Sequence, residues 1–129
     1  MSKNYDAIII GSGIIGTATG YYLSKAGLKV LILEKDFPTA GSTGRCITGV
    51  RQQFSTPATI KTSMESVKLF SSLEDELGID VEWTNSGYIF LAHDEEKETV
   101  LKESINVQQQ FGLDVKYISA EECRDIVPL

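Results

Sequence analysis

Apolar and polar positions alternate between two periods along this chain, and the change of period marks its elements. Ala7, Ile8, Ile9 and Ile10 form a short apolar run, followed by a glycine-rich turn at Gly11, Gly13 and Gly16. Ile15, Ala18, Tyr22 and Ala26, with Leu23 beside them, then recur every three or four residues, which predicts a helix that ends near Gly27. A second apolar run, Val30 to Leu33, reads as a buried strand. Lys35 to Ser55 is rich in Gly, Thr, Ser and Pro, and reads as a long loop with at most one helical turn; stretches of this kind are usually functional.

Thr56-Pro57 supplies an N-cap and a first-turn proline for a helix striped by Ile60, Met64, Val67, Phe70, Leu73 and Leu77 and stopped at Gly78. Ile79, Val81 and Trp83 alternate with Asp80, Glu82 and Thr84, as in a half-buried strand or extended segment. Asn85-Ser86-Gly87 is a turn. Tyr88 to Ala92 reads as a strand, and so does the segment holding Leu113, Val115, Tyr117 and Ile118. Between them Asp94 caps a polar helix running to Phe111 and closed by Gly112. Ser119 to Glu122 is a capping box that opens a short last helix, which stops before Pro128.

The opening βαβ run carries a dinucleotide fingerprint. Gly11 permits the tight turn, Gly13 lets backbone amides approach a pyrophosphate, and Gly16 lets the helix pack closely on the strand. The helix N-terminus, with Ser12, Ile14 and Ile15, presents unpaired amides and a partial positive charge to phosphate. Glu34 lies eighteen residues beyond Gly16, where a carboxylate accepts hydrogen bonds from ribose hydroxyls. A glycine turn that binds nothing is the alternative.

Size and charge narrow the class. The 129 residues suffice for one modest domain, and 42% hydrophobic and 23% charged residues are ordinary for a globular protein. A net charge of −6 argues against nucleic acid and anionic membranes as partners. Apolar runs are far too short for a membrane span. The first strand begins almost at once, so no signal peptide is expected. Cys46 and Cys123 form no CxxC pair, consistent with reduced thiols in a cytoplasmic protein. Two strands cannot bury both faces of a parallel sheet, so the expectation is an incomplete fold: a fragment, or one piece of a larger assembly that self-associates or binds a partner subunit.

The second informative stretch is Gly41 to Arg51. Small residues permit close approach, Ser42 and Thr43 offer hydroxyls, Arg45 suits a pyrophosphate, and Arg51 suits a carboxylate gripped by two parallel bonds. The alternative is a surface loop with solvated arginines. His93 reads as a solvated turn residue, the acidic clusters at 74–76 and 95–98 as solvated helix faces, and Trp83 and Tyr88 as core or interface aromatics. No spacing suits a metal.

The fingerprint, Glu34-Lys35, the stretch GSTGRCITGVRQQF, the GYIFLA strand and the closing SAEE-to-proline run resemble the FAD-dependent D-amino-acid oxidase superfamily. The likeness is greatest to its amine-oxidising branch of sarcosine oxidase β subunits and L-proline dehydrogenase β subunits. It covers essentially all 129 residues, but only roughly the first third of such an enzyme.

The resemblance implies an α/β protein whose N-terminal Rossmann-like βαβ portion, residues 1–85, binds FAD. Residues 86–129 begin an α+β substrate domain. Gly11, Ser12, Gly13, Ile14, Ile15 and Gly16 would hold the pyrophosphate, Glu34 the ribose, and Lys35 the adenine side. Ser42, Thr43, Gly44 and Arg45 would continue along the diphosphate and flavin, and Arg51 would bind the substrate carboxylate. Cys46 stands where relatives often carry asparagine or another small residue, and reads as a small packing residue. The implied chemistry is oxidation of an amino acid or N-methyl amino acid (sarcosine, proline or glycine-like) at a C–N bond. FAD takes a hydride equivalent and the imine then hydrolyses. The chain alone is expected to be inactive. An NAD-dependent dehydrogenase and a non-catalytic dinucleotide-binding module are the alternatives, since Glu34 serves either dinucleotide.

Overall fold

The computed structural model describes residues 4–128, which fall in two compact units divided between Gly49 and Val50. In the first unit the expected βαβ start is present. Strand β1 (Ala7–Ile10) leads through the glycine turn into helix α1 (Ile14–Lys25), and strand β2 (Val30–Leu33) returns parallel to β1. The register pairs Ile9 with Ile32 and Ile10 with Leu33. The Gly11 amide extends the ladder by donating to the Leu33 carbonyl at 2.7 Å. At the other end Asp6 and Lys29 exchange two bonds: the Asp6 amide donates to the Lys29 carbonyl, and Asp6 Oδ2 accepts from the Lys29 amide.

Helix α1 ends in a Schellman arrangement. The amide of Leu28 donates to the Leu23 carbonyl and that of Gly27 to Ser24, with Gly27 at φ 88°. The helix face differs from the expected one. Ile15 is 78% exposed and Tyr22 is also exposed, whereas Gly20 is buried with Gly16 and Leu23 half-buried on the same side. A Cβ at residue 20 would meet Ile32 Cδ1 at 2.7 Å and Ile9 Cδ1 at 3.5 Å. The sheet therefore takes the smallest residues of α1, because only they let the helix axis come close. The opposite sheet face is uncovered: Ile8 and Ile10 are 60% and 89% exposed. Of the long loop after β2, only Thr43–Arg45 forms a helical turn, of 3₁₀ type.

The second unit is helical. Helix α2 (Pro57–Leu77) begins at the Thr56 cap, whose hydroxyl accepts from the Thr59 amide, and ends at Gly78 with φ 68°. Most of its expected stripe faces inward: Ile60 is fully buried and Met64, Val67, Phe70 and Leu73 are half-buried, whereas Leu77 in the last turn is exposed. Helix α3 (Glu95–Gln110) is capped by Asp94, which accepts from the Lys97 amide at 2.7 Å, and packs on α2. Helix α4 (Ala120–Ile126) has both bonds of the capping box. No helix among the described residues is long and apolar enough to cross a membrane.

Three extended segments depart from expectation. Residues 79–84 form no strand: Glu82 sits at φ 54° and its amide bonds to Asp80 Oδ1, a local turn that breaks extension. Tyr88–Ala92 and Leu113–Ile118 are not strands either. Among the described residues neither is paired in a ladder, and an apolar segment becomes a strand only when its backbone groups pair. Trp83 instead stacks on Phe70, with ring centroids 5.5 Å apart. Cys46, expected to be a packing residue, is exposed.

Candidate dinucleotide and carboxylate sites

The glycine turn of the first unit is held by residues far along the chain. Glu34, at the end of β2, accepts from the Ser12 amide at 2.8 Å and from the Ser12 hydroxyl at 3.2 Å, both on Oε2. Its Oε1 accepts from the amides of Lys35 at 2.8 Å and Asp36 at 3.2 Å. The Ser12 amide above all, with those of Asp36 and Lys35, holds the carboxyl below the ordinary carboxylate range. Glu34 is thus ionised at neutral pH and its lone pairs are fully used. A ribose hydroxyl would displace one of the two longer bonds.

The loop after β2 closes on the same turn from the other side. The Thr39 amide donates to the Ser12 carbonyl at 3.2 Å, and Thr43 Oγ1 accepts from the Ile14 amide at 2.9 Å. The first amides of a helix have no partner within it, so Thr43 occupies one position that an anion would take. Two backbone approaches explain the small residues. A Cβ at Gly16 would stand 2.0 Å from the Gly11 carbonyl oxygen, and one at Gly44 would stand 2.6 Å from the Thr39 carbonyl oxygen. Neither glycine can carry a side chain without moving backbone.

These segments enclose a cavity of about 490 Å³. Of the residues expected at a dinucleotide, Gly11, Gly13, Glu34, Lys35, Ser42, Thr43 and Arg45 line it. Ser12 and Ile14 join through the bonds above, while Gly16 and Gly44 act by permitting close packing. Ile15 alone stands apart, its side chain directed to solvent. Asp36 and Thr39 were not foreseen. Both act through backbone atoms, which leave no mark in a sequence, although Thr39 holds φ 67° without being glycine. The donor set fits a dinucleotide: amides, two hydroxyls and an arginine for the diphosphate, and one carboxylate for hydroxyls.

Arg51 belongs to the second unit and lines a cavity of about 450 Å³ there, with Phe54, Tyr88, Phe90, Ile105 and Gln108 among its walls. Its guanidinium carbon lies 4.7 Å from the Phe54 ring centroid and 5.5 Å from that of Phe90. Glu98 in the same wall is held below the ordinary range by its bond and ion pair to Lys102, at 2.5 Å, and by the Tyr117 hydroxyl.

A parallel βαβ unit with a carboxylate closing on its glycine turn defines a dinucleotide-binding protein. The chain belongs to the FAD dependent oxidoreductase family, which its residues 6–129 match. It is 34% identical to FAD-dependent oxidoreductase domain-containing protein 1 of Xenopus laevis, over 95% of this chain and 27% of that protein. It is 30% identical to sarcosine oxidase subunit beta of Rhodobacter capsulatus, over 98% of this chain and 31% of the relative. The structure of L-proline dehydrogenase from P. horikoshii superposes with a TM-score of 0.89 at 37% identity, covering 99% of this chain and 34% of that one. The chain therefore spans about a third of the length of the relatives it matches. Membership selects FAD, and not NAD, as the dinucleotide.

Proposed function

We propose that this chain serves an FAD-dependent oxidation of an amino acid or N-methyl amino acid at a C–N bond. The observation that carries the reading is the closure of Glu34 and Thr43 on the glycine turn, which holds an anion-ready helix terminus beside an ionised carboxylate. In this reading Gly11, Ser12, Gly13 and the α1 amides hold the diphosphate, with Ser42, Thr43 and Arg45 continuing along it. Glu34 takes the ribose and Lys35 the adenine side. Residues 1–85 contribute the cofactor portion and 86–129 begin the substrate portion. When bound, FAD supplies the two-electron acceptor.

Arg51 is the proposed carboxylate anchor. Its planar guanidinium offers paired N–H donors that fix a carboxylate in one orientation, so the C–H bond to be broken is presented consistently. The family relatives named for sarcosine oxidase and L-proline dehydrogenase support a small secondary or primary amino acid as substrate. No general base is assigned, since a substrate amine that enters neutral needs none. The 129 residues alone are proposed to be inactive and prone to self-association or to a partner subunit, because apolar sheet surface such as Ile8 and Ile10 is open. A cytoplasmic setting is part of the same reading.

Reduction of an artificial electron acceptor by the full-length, flavin-loaded protein tests this, with sarcosine, L-proline and glycine offered in turn. Turnover of one of them is expected. Bound FAD without turnover of any amino acid would leave a dinucleotide-binding module and remove the proposed reaction.

A further inference from the structure

The surroundings of Arg51 extend the reading that it binds a carboxylate, and rest on it. Among the described residues no carboxylate pairs with this arginine; its neighbours are two aromatic rings, at 4.7 Å (Phe54) and 5.5 Å (Phe90). Both distances lie within the range where a ring face attracts a cation. Each ring sits in a segment tied down by a side-chain amide. Gln108 Nε2 donates to the Phe54 carbonyl at 3.0 Å, and Gln53 Nε2 donates to the carbonyl of Tyr88, two residues before Phe90. Gln108 is only 5% exposed, so an unmade bond there would strand a buried amide.

We propose that Phe54 and Phe90 are positioning residues that hold the Arg51 guanidinium through its π-attracted face and leave its N–H edge to a substrate carboxylate. An acidic partner would hold the arginine as firmly, but would occupy the donors the substrate needs and cancel the charge that attracts it. Aromatic rings hold the cation without consuming a single N–H. Gln108 and Gln53 fix the rings by fixing their backbone. A surface loop with a solvated arginine, the alternative read from sequence, does not account for two rings against one guanidinium, one of them in a residue whose carbonyl is bonded by a buried amide.

The test replaces Phe54 or Phe90 by pentafluorophenylalanine in the full-length, flavin-loaded protein. Fluorine drains the negative ring face while nearly keeping the ring's shape, so a purely structural role is left in place. Phe54→Leu, Phe90→Leu, their Tyr counterparts and Arg51→Lys complete the series. The expected result is a rise of about three- to tenfold in KM for the amino acid with the fluorinated ring or leucine, larger than any accompanying fall in kcat, with flavin content unchanged. Tyrosine restores the original KM. If Arg51→Lys raises KM but fluorination does not, the positioning role is overturned and the carboxylate anchor stands. If Arg51→Lys leaves KM unchanged, the anchor itself fails and the proposal fails with it.

Discussion

The amide of Ser12 donates to Glu34 Oε2 at 2.8 Å, joining the glycine turn to the end of the second strand across 22 residues of chain. The bond gives Glu34 two tasks. It holds the turn, and it presents a negative charge to the cavity that it lines. Replacing Glu34 by Gln keeps the shape but loses charge-assisted bonds, which are about twice as strong as neutral ones. FAD affinity of the full-length protein is expected to fall by about ten- to a hundredfold in Glu34→Ala, less in Glu34→Gln, and little in Ser12→Ala, which keeps the amide. Fluorescence titration with FAD measures all three.

Gly16 lies against the Gly11 carbonyl so closely that a methyl group would stand at 2.0 Å. Gly16→Ala must push α1 away from β1. Overpacking of this kind costs about 1–3 kcal/mol, read as a lower denaturation midpoint. Gly13→Ala meets only the Thr43 hydroxyl, at 3.1 Å, and displacing that oxygen loosens its bond to the Ile14 amide without moving the sheet, so the effect is expected mainly on FAD binding.

Acid should loosen the first unit through Glu34. Its carboxyl titrates below the ordinary value because the folded turn donates hydrogen bonds to the ionised form. A group depressed in this way contributes stability above its unfolded pKa, near 4.3, and loses it as pH falls through the lower folded value. Glu98 and Glu122 are shifted in the same direction, by Lys102 and by the Ser119 amide, and add to the trend in the second unit. Stability is expected to be level from neutral pH to about 5 and to decline below about 4.3, followed by circular dichroism. Glu34→Gln should flatten part of that decline.

Ile60 is fully buried in the second unit, where only Leu113 is comparably enclosed among apolar residues described. Ile60→Ala removes packing that α2 cannot replace by collapse. A loss of about 2–5 kcal/mol is expected in urea unfolding, with no direct effect on the glycine turn.

Much of this was legible in the sequence, for local reasons. Thr56-Pro57 with Gly78 and Asp94 with Gly112 bracket two helices, and Ser119 with Glu122 opens a third, because caps satisfy backbone groups within a few residues. The glycine turn and Glu34 were legible because each has a steric or electrostatic requirement that few residues meet. The sheet-facing side of α1 was not. Periodicity marked Ile15 and Tyr22, but close packing on Ile32 selected Gly20. Tyr88–Ala92 and Leu113–Ile118 have strand-like composition, yet strand formation depends on a paired neighbour, which composition does not specify. Gln108 carried no signal at all. Its position on a polar helix gave no hint that its amide reaches a carbonyl 54 residues away.

The cavity bounded by the glycine turn, Glu34 and Thr43 is the proposed FAD site. Titrating the full-length, flavin-stripped protein with FAD and separately with NADH tests it most directly, using wild type and Glu34→Ala. Stoichiometric FAD binding is expected, weakened by at least about tenfold in the variant, with NADH bound far more weakly by either. Equal FAD affinity in wild type and Glu34→Ala, or a preference for NADH, would contradict it.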